Sequence, residues 1–403
     1  MARRYSMESI QTFIKFFSSS RTNSRTIIQT TSIPKPSLTN QAHILYLHTS
    51  QPFSPLHQSN TSFCQTTRAK PTCAGIRRHS TSRMACCVSI TACCDRYYDA
   101  TFSAAGLRPS VVSLSDGTSI HLWSPQYPNP SSRRALVLIH GFGASATWQW
   151  APYLRPLIKA GFDLYVPDLI FFGGSFSPSP DRSDYHQARS VVGVLDRLGV
   201  SRFGLVGVSY GGFVSYRISE LCPERVERVV LICAGVCLED TDLAKGLFVV
   251  SNVADAAELL VPRRPEKLKE LVRLTFVRPP RVMPSCFMRD YIQVMCTEYA
   301  QEKTELLQFL IQDRKLSNLP KLTQQTLILW GEQDKVFPLE LAHRLKRHLE
   351  ENSQLVIIKE AGHAVNLEKP AEVVKNIINF FVEPSSNNST NDHKVCYFVY
   401  SIL

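Results

Sequence analysis

Residues 204–212 read GLVGVSYGG, a short apolar run that passes directly into a serine, a tyrosine and two glycines. The pattern G-x-S-x-G from Gly207 to Gly211 is typical of a tight turn between a strand and a helix. Because the turn brings strand and helix into contact, the positions two before and two after Ser209 must be small, and the hydroxyl projects into a cleft. With the predicted helix Gly212–Leu221 behind it, this segment predicts a nucleophilic serine at the end of a buried strand.

The folded part of the chain repeats this alternation of apolar runs and helical segments. Near its start, Val111–Leu114 and Ile120–Trp123 flank a Ser-Asp-Gly turn, which predicts an antiparallel hairpin. Six further strands are continuous apolar runs, as expected when helices cover both faces of a sheet: Ala135–Ile139, Asp163–Val166, Gly204–Val208, Val229–Cys233, Thr326–Trp330 and Leu355–Ile358. The pattern predicts an α/β protein with a mostly parallel, doubly wound sheet.

Helices are predicted between these strands and in one long insertion. Those that accompany the sheet are Trp148–Ala160, Ser183–Leu198, Gly212–Leu221, Leu339–Leu349 and Ala371–Phe381. Between Ala234 and Thr326 the strands stop, and proline-broken amphipathic segments replace them at Asp242–Leu260, Glu266–Phe276 and Met288–Ile311. The nearly balanced charge of this insertion favours a lid that covers a cleft. Its apolar residues either line a pocket or form the core of the lid: Leu243, Leu247, Phe248, Val250, Leu259, Leu260, Phe276, Phe287, Met288, Tyr291 and Met295.

A base and an acid are needed beside the serine, because a hydroxyl attacks only when a base removes its proton and the acid holds the tautomer of that base. Asp334 follows the strand TLILW and His363 follows LVIIK, so both are expected at the sheet edge that carries Ser209. A capping role for Asp334 and a surface-loop role for His363 are the structural alternatives. Three other acids remain open as substitutes for Asp334: Glu239, Asp240 and Asp313.

The segment from His140 to Gly143, HGFG, directly follows the strand ALVLI. Its glycines let the backbone turn so that an amide points into the cleft. The amides of Phe142 and Tyr210 are therefore the candidates for an oxyanion hole, which binds the charge that develops on a substrate oxygen. His140 is interpreted as a residue that braces this loop, with a role as a second base as the alternative.

In combination, these motifs resemble the α/β-hydrolase superfamily, in the branch of monoacylglycerol-lipase-like and carbon–carbon-bond hydrolases. The resemblance rests on HGFG, GVSYGG, LILWGEQDKVFP and EAGHAVNLEKP and covers about residues 105–383. It implies the α/β-hydrolase fold, into which the helical insertion fits as a cap, a Ser209–Asp334–His363 triad and no cofactor; no metal site is predicted from the residues. The segment from Asp168 to Ser175 is similar to plant members of this branch.

The resemblance does not imply a substrate; with these site residues we predict a serine hydrolase that cleaves carboxylic esters, lipid-like or small, through an acyl-enzyme. Epoxide hydrolases and haloalkane dehalogenases of this fold carry an aspartate nucleophile, whereas the elbow here carries Ser209. The same triad serves carbon–carbon-bond hydrolases and acyltransferases, and some members of the superfamily are non-catalytic ligand receptors. A small-molecule ester is the expected partner, and these other functions stay open.

Most of the net charge lies before residue 95. Residues 1–94 hold eleven Lys or Arg and one acid, Glu8, so this segment carries +10 of the formal +11. The nearly neutral remainder argues against nucleic-acid binding. Because the segment is rich in Ser and Thr and has no sustained hydrophobic period, it is expected to be disordered. The predicted division is a disordered segment 1–95, hydrolase core 96–236, helical cap 237–322, hydrolase core 323–383 and disordered tail 384–403.

The composition of the first segment also bears on location. An Arg- and Ser-rich, acid-poor start is typical of organelle transit peptides, which predicts a plastid or mitochondrion if Met1 begins the protein and the cytoplasm if Met84 does. The cysteines include no C-x-x-C pair, which argues against zinc. The cysteine pairs at 86–87 and 93–94 are candidate S-acylation sites and hence a route to peripheral membrane contact. No apolar run is long enough for a transmembrane segment, and the oligomeric state is left open.

Overall fold

The structure is a computed structural model that describes residues 89–382, except Leu247 and Asp313. Its strands are β1 (Leu107–Ser113), β2 (Ser119–Pro125), β3 (Arg134–Ile139), β4 (Phe162–Pro167), β5 (Phe203–Val208), β6 (Val226–Ile232), β7 (Gln325–Gly331) and β8 (Ser353–Ile358). They form one sheet in the order β1-β2-β4-β3-β5-β6-β7-β8. The strand β2 pairs antiparallel with β1 and β4, and the other neighbours pair parallel. The predicted α/β architecture is confirmed.

The burial of the strands explains their sequence patterns. Every residue of β4 and β5 is buried, because helices cover both faces of the central sheet. In contrast, β1 lies at the edge and exposes most of its residues. The predicted hairpin joins β1 to β2 through Gly117, whose φ of +83° lies in the region that favours glycine. Asp116 accepts a hydrogen bond from the amide of Thr118 at 2.9 Å and completes this turn.

Thirteen α-helices lie in the described part of the chain. They are α1 (Ile90–Ala104), α2 (Ala146–Trp150), α3 (Leu154–Lys159), α4 (Asp184–Arg197), α5 (Tyr210–Leu221), α6 (Asp240–Ala244), α7 (Val253–Leu260), α8 (Pro265–Thr275), α9 (Ser285–Tyr291), α10 (Ala300–Ile311), α11 (Leu339–Leu349), α12 (Val365–Glu368) and α13 (Pro370–Val382). The helices predicted beside the sheet agree with α4, α5, α11 and α13. The prediction of one helix over Trp148–Ala160 is wrong, because Pro152 has no N–H for a continuous helix and a 3-10 turn separates α2 from α3.

Within the described residues, the insertion forms a cap of five α-helices, α6 to α10. Its periodicity predicts only three helical segments. One helix over Asp242–Leu260 is wrong, since α6 ends at Ala244 and Gly246 follows with a φ of +72°. The predicted helix Met288–Ile311 is also wrong. A π-helical turn over Ile292–Cys296 interrupts it, and Tyr299 then takes a left-handed conformation that ends the first part. The predicted cap limits at 237 and 322 stay predictions.

Helix α1 corrects the predicted boundary at residue 95. It begins at Ile90, where the Ser89 hydroxyl accepts a hydrogen bond from the Ala92 amide at 3.0 Å. One face, with Cys94, Tyr98 and Phe102, is buried in the main core. The period of four residues among these side chains starts inside a segment whose average composition is polar, so the average concealed it. The remainder of the predicted disordered segment and tail lies outside the described residues.

None of the described helices is both long and apolar enough to cross a bilayer.

Candidate active site

Ser209 stands at the turn between β5 and α5, with φ 51° and ψ −119°. Its amide donates to the carbonyl of Ile232 on β6 at 2.8 Å, which ties the turn to the neighbouring strand. A Cβ on Gly207 would meet the carbonyl oxygen of Gly211 at 2.3 Å. A Cβ on Gly211 would meet the carbonyl of His140 at 2.4 Å. Small residues are therefore required at both positions, as the sequence pattern predicts.

Two loops at the carboxyl ends of β7 and β8 bring Asp334 and His363 to the serine. The Ser209 hydroxyl lies 2.9 Å from Nε2 of His363. On the other side of the ring, Nδ1 lies 2.9 Å from Oδ2 of Asp334. A carboxylate only accepts, so Nδ1 carries a proton and Nε2 is the atom that can accept the serine proton. The arrangement is a hydrogen-bonded chain from acid to base to hydroxyl.

The Asp334 carboxylate is held at both oxygens. Its Oδ1 accepts hydrogen bonds from the amides of Val336 and Phe337 at 2.8 and 2.9 Å. The loop of His363 is held separately, because the Gly362 amide donates to Glu368 Oε2 at 2.8 Å. Asp334 is 7% exposed, so water competes little for these bonds. Both members of the pair are thus oriented by their own loops.

The other acids that the sequence left open do not reach the serine site. Glu239 precedes α6 and accepts a hydrogen bond from the amide of Leu316 at 3.0 Å. Asp240 is exposed and accepts from the Thr241 amide. Both hydrogen bonds are to backbone amides outside the serine site. The third, Asp313, lies outside the described residues.

The loop from Gly141 to Gly143 passes beside the elbow, with Phe142 and Tyr210 in ring contact at 5.2 Å. No hydrogen-bond acceptor for the amide of Phe142 or Tyr210 is found within the described residues. His140 braces the loop as interpreted from the sequence: its Nε2 accepts from the Leu169 amide at 2.9 Å, and its Nδ1 lies 2.8 Å from the Gly141 carbonyl. Burial lowers the pKa of His140, so the ring is neutral and both nitrogens are used in this loop.

Two residues that hold this loop were not identified from the sequence as doing so. The Gln149 side chain accepts from the Gly141 amide at 2.9 Å and donates to the Gly141 carbonyl at 3.1 Å. From the cap, the Tyr291 hydroxyl donates to the Gly143 carbonyl at 2.6 Å. The contact of Gln149 could have been inferred from the sequence, because this amide side chain lies about one turn into the helix that follows the loop. The contact of Tyr291 could not, because only the folding of the cap brings Tyr291 to the loop.

Cys233, Asp334 and His363 place possible metal-ligand atoms within 4.8 Å of one another. Two of these atoms, on Asp334 and His363, are already joined by their hydrogen bond. Burial raises the pKa of the Cys233 thiol far above its usual value, which disfavours the thiolate that binds metals. The donor set therefore fits a proton-transfer site better than a metal site.

A cavity of about 660 Å³ opens above Ser209 and His363. Its walls come from the cap, from α1 through Tyr97 and Tyr98, and from α13. Among the described residues, no Lys, Arg, Asp or Glu lines it. Of the cap residues considered from the sequence, those that line it are Leu260, Phe276, Phe287, Met288 and Tyr291. Leu243 and Leu259 are instead buried core, and Leu247 lies outside the described residues.

A model of the α/β-hydrolase fold family matches residues 134–370, more than half of the chain. The chain belongs to the α/β-hydrolase family. Human monoacylglycerol lipase ABHD6 is 25% identical to this α/β hydrolase over 276 residues, which are 66% of this chain and 80% of that lipase. The 2-hydroxy-6-oxo-2,4-heptadienoate hydrolase of Pseudomonas putida is 29% identical over 255 residues, 61% of this chain and 88% of that enzyme.

Among solved structures, the esterase EaEST from Exiguobacterium antarcticum superimposes on this α/β hydrolase with a TM-score of 0.54. The two are 20% identical, and the match covers 68% of this chain and 99% of the esterase. That likeness shows the fold. The predicted family and both branches that the motifs resemble are confirmed by these relatives, while the similarity to plant members stays a prediction.

Proposed function

We propose that the protein is a serine hydrolase that cleaves neutral carboxylic esters through an acyl-enzyme. The observation that carries the proposal is the hydrogen-bonded chain Ser209–His363–Asp334 at the floor of a large apolar cavity. A catalytic triad requires this geometry, with nucleophile to base and base to acid within hydrogen-bond reach.

In the first half of the reaction, Ser209 Oγ attacks the ester carbonyl carbon while Nε2 of His363 takes the hydroxyl proton. The carbonyl oxygen gains negative charge, which the amides of Phe142 and Tyr210 stabilise, each by about 3–4 kcal/mol. Asp334 stabilises the imidazolium. The bond from carbon to the alcohol oxygen then breaks, and His363 delivers its proton to the departing alcohol.

In the second half, a water molecule attacks the acyl-enzyme and gives a proton to His363. The bond between the acyl carbon and Ser209 Oγ breaks, the carboxylic acid leaves, and the proton returns to the serine. The enzyme is thereby restored, and one ester and one water become one acid and one alcohol. In an acyltransferase an alcohol replaces this water.

The lining of the cavity favours esters over the carbon–carbon alternative. The substrate named for the Pseudomonas putida relative is a dienoate, which carries a carboxylate. An anion that leaves water for an apolar cavity needs a paired cation. Because no Lys or Arg in the described part of the chain lines the cavity, a neutral substrate fits it better, as the acylglycerol of the human relative would be.

The test is labelling of the protein with an alkyl ethoxy fluorophosphonate, in which Ser209 Oγ displaces fluoride. We expect rapid labelling that Ser209→Ala and His363→Ala abolish. His343→Ala is the matched control, since His343 is an exposed histidine of α11 and its loss should leave labelling unchanged. Native, folded protein that is not labelled would contradict the hydrolase and favour a ligand receptor of the same fold. Peripheral membrane contact and compartment stay predictions.

A further inference from the structure

A second, much smaller cavity meets the large one at the nucleophile. It measures about 30 Å³, against about 660 Å³ for the large cavity. Ser209, Phe142 and Leu260 line both cavities. The serine hydroxyl therefore stands at a junction of two spaces of very unequal size. An ester has two arms, the acyl chain and the alcohol, and its carbonyl carbon must lie at this junction.

The walls of the small cavity are closely packed core side chains. Phe213, Leu307 and Phe337 are each no more than 5% exposed. Phe337 is further fixed by ring contacts with Phe248 at 5.4 Å and with His363 at 5.5 Å. Protein cores resist changes even of one methylene, because their side chains interdigitate at crystal-like density. This cavity therefore does not enlarge easily to admit a longer group.

One part of the wall of the large cavity, in the cap, is partly exposed to solvent. Leu271, Phe276 and Met283, which belong to the cap, are only half-buried. Met283 has an unbranched, adaptable side chain and adjoins the exposed Val282. This side can accept a long apolar chain of varied length.

The small cavity is also apolar. Among the described residues that line it, the only polar side-chain atoms are the hydroxyl oxygens of Ser209 and Tyr210. A glycerol group placed there would lose water from two hydroxyls with few partners to replace it, which disfavours its binding. The small volume and the apolar lining of this cavity thus both disfavour a glycerol group.

We propose that the enzyme is specific for asymmetric esters, with a long apolar arm in the large cavity and an arm of one or two carbons in the small one. The proposal rests on the proposed ester hydrolysis and names its substrate class. Simple short-alcohol esters of long acids, or acetates of long alcohols, meet these requirements. A monoacylglycerol does not, although the human relative is named for one.

Three isomeric esters test the proposal with the full native chain: ethyl decanoate, hexyl hexanoate and decyl acetate. They have one composition and differ only in where the carbonyl lies along the chain. We expect kcat/KM for one of the two asymmetric isomers to exceed that for hexyl hexanoate by about tenfold or more, since a few methylenes decide such ratios. The preferred asymmetric isomer shows whether the acyl or the alcohol arm occupies the small cavity.

A pair of leucine variants assigns the effect to the small cavity. Leu307 lines the small cavity from α10, and Leu268 lines the large one from α8. Leu307→Ala should raise the relative kcat/KM for hexyl hexanoate by about tenfold, because it removes a wall of the small space. Leu268→Ala should leave the ratio among the three isomers unchanged.

Equal or faster turnover of hexyl hexanoate by the native enzyme would overturn the proposal and leave ester hydrolysis intact. So would hydrolysis of 1-monodecanoylglycerol at the rate of the preferred asymmetric isomer. Absence of both fluorophosphonate labelling and turnover of every isomer would instead contradict the hydrolase itself, and the specificity with it.

Discussion

At the scale of single residues, the orientation of Asp334 depends on the hydrogen-bond partners of its two carboxylate oxygens. Two backbone amides occupy Oδ1, so Oδ2 is left for the imidazole of His363. An asparagine would keep its carbonyl oxygen on the amides and turn its NH₂ group toward Nδ1. Since NH₂ only donates, the ring would shift its proton to Nε2 and lose the ability to accept from Ser209.

We therefore expect Asp334→Asn to lower kcat by about 10⁴ with little change in melting temperature. Ester hydrolysis and thermal unfolding measure the two effects. Asp240→Asn is the matched control, because Asp240 was an alternative acid in the sequence and is exposed in the structure. Its kcat should equal that of the native enzyme. An active Asp334→Asn protein, or an inactive Asp240→Asn protein, would exclude the proposed triad.

At the scale of elements, the cap is hydrogen-bonded to the Gly141–Gly143 loop. Tyr291, on cap helix α9, packs its ring against Trp148 at 5.6 Å and donates its hydroxyl proton to the Gly143 carbonyl. Trp148 in turn donates to Asp95 on α1 at 2.5 Å. The cap, the loop helix α2 and the N-terminal helix α1 are thus connected at this point.

Tyr291→Phe keeps the ring and removes the hydrogen bond to the loop. We expect kcat to fall about tenfold, less than the 10²–10³ that loss of an oxyanion donor costs, with KM nearly unchanged. Tyr299→Phe is the control, because Tyr299 lies in the cap but contacts Phe171 and Phe176 through its ring and lies outside the cavity. A change in KM without a fall in kcat, or the same loss of kcat in both variants, would exclude a positioning role for the Tyr291 hydroxyl.

At the scale of the whole molecule, an ion pair joins the cap to the core. Asp242 of α6 has no exposed surface, and its carboxylate is bound by Arg344 of α11 and by the Glu239 amide. Burial by itself raises the pKa of Asp242, but the hydrogen bonds from Arg344 and from the Glu239 amide lower it below its usual 3.8. A lowered pKa means that the pair stabilises the fold above about pH 4, and that this contribution is lost as the pH falls through the folded-state pKa.

Arg344→Met should lower the free energy of unfolding at pH 7 by about 3–5 kcal/mol, since it leaves a buried carboxylate unpaired. The difference from the native protein should narrow as the pH falls through the folded-state pKa of Asp242, which lies below 3.8 in the native protein, because the protonated carboxyl no longer pairs with Arg344. Denaturant titrations at pH 7 and below pH 4 measure this difference in the free energy of unfolding. Arg347→Met removes an exposed pair with Glu340 on the same helix and should change stability by less than about 1 kcal/mol. Equal effects of the two substitutions would refute the role of the cap–core pair.

The predictions from sequence succeeded where the deciding interactions are local. The turn at Ser209, the hairpin at Gly117 and the helix Leu339–Leu349 each depend on residues close together in the chain. They failed where a helix depends on its tertiary surroundings. The first residues of helix α1, up to residue 95, lie in the predicted disordered segment because they end a polar stretch of sequence, and only the core that receives Phe102 makes the helix stable.

The sequence alone determined the family, the sheet and the identity of the candidate acid, base and nucleophile, because these follow from residue types at strand ends. Only the tertiary structure decided that Ser209 and His363, 154 residues apart, meet at 2.9 Å. It also decided that Tyr291 reaches the Gly141–Gly143 loop and that Ser209 lines two cavities of unequal size. Distances and volumes of this kind arise from packing between elements far apart in the chain, and local periodicity carries no information about them.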